Sequence, residues 1–158
     1  MLSPELAAGI RRVKGVRRIG VRLGNWFTAD QGRSLLLNSQ GDSLRSKRNY
    51  AMLALLIGCG LRRGELLALK AGSVQLREEH WVIADLHGKP GHIRTVPIPL
   101  WVKEAIDRWT GASGIEEDCL FRAIDESGQI WGHGMAPKLV WEIVKRAAEA
   151  AGIDKLVP

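Results

Sequence analysis

With 158 residues, 46% of them hydrophobic and 25% charged, the chain has the length and composition of one globular domain with a real core, which excludes disorder. No apolar run approaches the length of a membrane span, and Met1 to Pro4 lack the charged and apolar regions of a secretory leader, so a cytoplasmic protein without a membrane partner is expected. The net charge of +6 is uneven: residues 1–25 hold Arg11, Arg12, Lys14, Arg17, Arg18 and Arg22 against Glu5 alone, while the rest of the chain nearly cancels.

Such an arm fits nucleic acid best, since no apolar helical face lies among its arginines to favour a membrane surface. Gly9, Gly15, Gly20 and Gly24 interrupt it, so residues 1–25 read as a basic linker or arm and residues 26–158 as the folded domain. Cys59 and Cys119 are far apart, and Cys59 sits in an apolar stretch, which predicts buried free thiols. His80, His87, His92 and His133 show no paired metal-ligand spacing, so neither a metal nor another cofactor is expected.

Taking the elements in order, Thr28 with Gln31 predicts a capping box and a helix through Leu35 and Leu36 that ends between Asn38 and Gly41. A second helix starts near Ser43 and carries Tyr50, Leu53, Ala54 and Ile57 as a buried stripe. Lys47 and Arg48 stand in its first turns, where cations oppose the helix dipole, and this fits a phosphate contact as well as a solvated helix start. The apolar run then stops at Gly58 and Gly60, whose freedom to adopt positive φ suits a turn, and a new helix is predicted from about Leu61 with Leu66 and Leu69 on its buried side.

Segments 74–77, 80–86 and 93–98 read as strands, the first two joined at Glu78-Glu79 and the last two by a tight tip at Gly88-Lys89-Pro90-Gly91-His92. A helix from Pro99 through Trp109 is expected to close at Gly111, and another from about Ala136 to Ala151 to close at Gly152. The expected fold class is α+β and mainly helical, with helices packed around a small three-stranded antiparallel sheet.

Chemistry concentrates after the second helix. Arg62 and Glu65 stand three apart, close enough on a helix to meet. A guanidinium fixed by a carboxylate on a packed element offers a planar fork for two phosphate oxygens, and the dipole end of a new helix favours the same anion. From spacing alone, a surface ion pair on an ordinary helix has the better claim.

Gly60-Leu61-Arg62-Arg63-Gly64-Glu65-Leu66 resembles the first arginine box of the tyrosine recombinases, the phage integrase family. The resemblance extends from about residue 20 to 158. It includes Gly24-Asn25-Trp26, similar to the family's interdomain junction, and Gly88-Lys89 followed by Arg94 and Val96-Pro97, similar to its catalytic-lysine hairpin. It implies that Arg62 is catalytic with Glu65 in support, that Lys89 is the general acid, and that Arg94 belongs with the DNA-binding residues. Pro90 and His92 depart from the pattern, so His92 stands beside Lys89 as a candidate proton donor. What is implied is metal-free breakage and rejoining of double-stranded DNA through a phosphotyrosine intermediate, by several protomers of the same recombinase on DNA. The segment from Ala151 to Pro158 resembles the one preceding the family's His-x-x-Arg box. No histidine here has arginine three residues on, and the sole tyrosine, Tyr50, lies upstream of Arg62. The expectation is therefore a catalytic core incomplete at its C-terminus and inactive alone, the alternative being a DNA-binding module that keeps the scaffold without the chemistry.

Overall fold

The computed structural model of the chain describes residues 27–88 and 92–153. The basic arm, with Arg11, Arg12, Lys14, Arg17, Arg18 and Arg22, and the hairpin tip at 89–91, with Lys89, lie outside the described residues.

Helix α1, Ala29–Leu37, opens on the expected capping box: Thr28 Oγ1 accepts from Gln31 N while Gln31 Oε1 accepts from Thr28 N. Ser43 caps α2, Leu44–Gly58, whose Ala51 to Leu55 are fully enclosed. The expected stripe is right at Leu53 and Ala54 but not at Ile57, which is 41% exposed and borders a groove of about 690 Å³ with Phe27, Leu36, Leu56, Trp101 and Val144.

Gly58 is not a positive-φ residue. It ends α2 where α4, Leu100–Ser113, crosses closely, and a Cβ there would lie 2.5 Å from Val102 Cγ2 and 2.7 Å from Trp101 Cζ2. The left-handed turn belongs to Gly60 alone, at φ 61°, and it aims the chain into a short helix α3, Arg63–Ala68, two residues later than expected. Helix α4 likewise outruns the expected stop at Gly111 and closes at Gly114, which adopts the left-handed conformation that Gly111 does not need.

Strands β1 (Val74–Arg77), β2 (His80–His87) and β3 (Ile93–Pro97) form the expected antiparallel sheet in the order β1-β2-β3. Glu78 and Glu79 both have positive φ, the signature of a two-residue hairpin turn that follows the strand twist. In β2 a bulge between Ile83 and Leu86 sets Asp85 at φ 51° and shifts the register so that buried Leu86 faces Arg94. Simple alternation would have put Asp85 there. A second small sheet, β4 (Ala123–Ile124) with β5 (Ile130–Trp131), precedes α5, Pro137–Ala150.

One core joins these parts. Trp109 of α4 lies against Phe121 with ring centroids 6.3 Å apart and donates from Nε1 to the carbonyl of Leu120 at 2.8 Å, satisfying its only polar atom in a site without water access. Leu120 N donates in turn to Leu69 O, which ties the end of α3 to the same core.

Candidate DNA-phosphate site at the arginine turn

Leu61 and Leu66 are buried on either side of Arg62, and Leu69 seals the far end of α3, so this six-residue helix is held by packing rather than by its own length. Arg62 is the N-cap: its carbonyl accepts from Leu66 N at 2.9 Å, and its own N–H donates to Glu65 Oε2 at 2.8 Å. The helix start is thus already served by a carboxylate from its own first turn. The dipole end of this helix therefore adds little to anion binding, because a six-residue helix has little dipole to offer and the Arg62 N–H is already taken.

Glu65 is 6% exposed at the side chain, and its counter-charge comes from β3. Arg94 Nη2 donates to Oε1 at 3.1 Å and to Oε2 at 3.0 Å. Arg62 comes no closer than 3.8 Å from Nη1 to Oε1, outside hydrogen-bonding distance, and its side chain is 64% exposed. The expected Arg62–Glu65 pair therefore exists as a backbone bond and a loose ionic contact, while the tight partner stands 29 residues away. No local signal in the sequence announces that contact, since only the β2–β3 register and the bulge carry Arg94 to α3.

His92 is exposed just before β3, where its carbonyl accepts from Gly88 N at 2.9 Å and closes the hairpin. Arg48 is 2% exposed, which corrects its reading as a surface phosphate contact. Its guanidinium donates to Arg122 O and to Asn49 Oδ1, tying α2 to the segment just before β4. Burial, helped by repulsion from Arg45, lowers the Arg48 guanidinium to about 10. Lys47 is half-buried on the first turn of α2, and some 15 Å of helical rise separate this turn from Gly58, so neither residue joins Arg62. Cys59 is a free, half-buried thiol against Pro97 O at 3.8 Å, and burial raises it to about 11; Cys119 is also free and half-buried. Among the described residues, no group of three or more histidine, cysteine or acidic side chains is arranged to hold a metal.

What the geometry offers is an exposed guanidinium on a turn held by packing, next to the Glu65–Arg94 ion pair, an arrangement suited to a phosphodiester. The chain belongs to the phage integrase family, whose model matches residues 25–158. It is 30% identical to a tyrosine recombinase of Synechocystis sp. over 73% of this chain and 36% of that protein, and 33% identical to the tyrosine recombinase XerC of Azotobacter vinelandii over 65% and 32%. The chain thus spans about a third to somewhat under half of the length of the curated relatives it matches. Its fold is that of the XerH site-specific recombinase in a post-cleavage complex with a palindromic difH substrate, with a TM-score of 0.68 over 90% of this chain and 40% of that one at 17% identity.

Proposed function

We propose that this chain is the first part of the catalytic domain of a site-specific DNA recombinase, and that it presents Arg62 to the phosphate at which a DNA strand is broken and rejoined. The observation that carries this reading is the exposed Arg62 guanidinium standing on a turn fixed by Leu61, Leu66 and the buried Glu65. In a phosphoryl transfer, such a donor stabilises charge gathering on the non-bridging oxygens and needs no reorganisation when that charge appears. Lys89, or His92 beside it, supplies the proton to the departing deoxyribose oxygen. The nucleophile is a tyrosine outside these 158 residues: Tyr50, the one tyrosine in the sequence, is half-buried in α2 with the Arg108 guanidinium 5.1 Å from its ring centre.

By itself, the chain then binds duplex DNA without cutting it, through the arm at 1–25 and the arginine turn, and cleavage belongs to a longer protein acting as several protomers on DNA. The test uses that longer protein and a nicked duplex that traps the covalent protein–DNA adduct. Arg62→Ala should lower adduct formation by about 100-fold or more while leaving the melting temperature within a few degrees. Replacing the departing 5′ oxygen by sulfur should rescue Lys89→Ala, because a good leaving group needs no proton donor, but should rescue Arg62→Ala much less. Unfolding of Arg62→Ala with residual cleavage intact would make the arginine structural. Rescue of His92→Ala and not of Lys89→Ala would move the proton to the histidine.

A further inference from the structure

We propose that Arg94 is a positioning residue for Arg62, acting by occupying the buried carboxylate of Glu65 so that the Arg62 guanidinium remains free for phosphate. This rests on the phosphate reading of the arginine turn and departs from the expectation that Arg94 itself grips DNA.

Glu65 is a charge with almost no solvent, and such a carboxylate requires a cation and donors to be tolerable. Two arginines are within reach. Arg94 takes the tight position, with one nitrogen, Nη2, bonded to both oxygens at 3.1 and 3.0 Å, and Arg62 is left 3.8 Å off with most of its side chain in solvent. The arrangement is competitive: Arg94 Nη2 holds both carboxylate oxygens, and an arginine that closes on Glu65 has fewer donors left for a phosphate. Arg62 sits three residues from Glu65 on the same turn and already donates its backbone N–H to Oε2 at 2.8 Å. Without Arg94, closing the 3.8 Å gap requires only a rotamer change of Arg62, and the buried charge drives it. The guanidinium then lies flat against Glu65 instead of facing outward. Because Arg94 reaches Glu65 from β3, the bulge that sets Leu86 opposite Arg94 also decides which arginine is free.

The test is a set of substitution cycles on the 158-residue chain, read by fluorescence anisotropy of a labelled duplex across a salt series, with circular dichroism melts to establish folding. Arg62→Ala should weaken binding severalfold and reduce the salt slope by about one in the parent chain, and equally in an Arg94→Lys background, where a single ammonium can replace Nη2. In an Arg94→Ala background, Arg62→Ala should change affinity and slope scarcely at all, because Arg62 is already captured. Adding Glu65→Gln to Arg94→Ala removes the charge that captures it, so the Arg62→Ala loss should return. A merely structural ion pair would not produce that return. Arg94→Gln carries the same comparison if Arg94→Ala does not fold.

An Arg62→Ala loss of equal size with and without Arg94 would overturn the proposal and leave Arg94 as an independent contact. Failure of the Arg62→Ala loss to return in the Arg94→Ala/Glu65→Gln background would also overturn it. No loss from Arg62→Ala in the parent chain would instead refute the phosphate reading itself, and the positioning role with it.

Discussion

Gly58→Ala isolates the physical feature that places the arginine turn. The added Cβ meets Val102 Cγ2 at 2.5 Å and Trp101 Cζ2 at 2.7 Å, where unstrained carbon contacts lie near 3.5–4.0 Å, so about 1 Å of separation must be found. Trp101 is partly exposed and its ring can swing, but Val102 is fully buried, and relief there requires an off-rotamer side chain or a shift of α4 against α2. Overpacking of this kind costs about 1–3 kcal/mol, offset by at most about 1 kcal/mol from the better helix propensity of alanine. The net loss is at most about 3 kcal/mol and centres on about 1–2 kcal/mol, which lowers the melting temperature by about 2–8 °C in a protein of this size. Differential scanning calorimetry measures it, and Gly64→Ala is the control, since no atom lies within 4 Å of its Cβ and helix propensity alone should leave it neutral or slightly stabilised. The loss should shrink in a Val102→Ala background, because the nearest atom is then gone. A melting temperature unchanged or raised by Gly58→Ala, or a loss indifferent to Val102, would refute the close-approach argument.

Trp109→Phe should destabilise the fold by about 2–4 kcal/mol in thermal melts, since it removes the indole donor from the buried Leu120 carbonyl and leaves a small void beside Phe121. Burial raises the Cys59 thiol from 9.0 to about 11, so the unfolded chain releases this proton first as pH rises. The thiol's contribution is therefore fully present below pH 9 and is lost between pH 9 and 11, at most about 3 kcal/mol, and melts of Cys59→Ala over that range should lack this part of the decline. Deleting residues 1–22 removes six cations and should flatten the slope of log affinity against log salt by up to about five, measured on duplex DNA, while an unchanged slope would show that the arm is not the electrostatic contact.

The sequence by itself determined the elements whose causes are local. The Thr28–Gln31 capping box, the Ser43 cap, the Glu78-Glu79 hairpin and the three strands follow from side chains a few residues apart, and they were legible for that reason. The arginine box was legible as a family pattern, and the proximity of Arg62 and Glu65 as an i,i+3 spacing. Only the tertiary structure decided which arginine holds the carboxylate. A crossing helix, and not a turn conformation, requires Gly58. The Asp85 bulge re-aims β3, and Arg94, 29 residues from Glu65, takes the contact that spacing had assigned to Arg62. Arg48 shows the same division: its place in a cationic helix start is visible in the sequence, but its burial depends on Arg122, 74 residues on. Charge and periodicity act along the chain and can be read there, whereas the partner of a buried charge is set by which strands and helices meet, and that is settled only when the core closes.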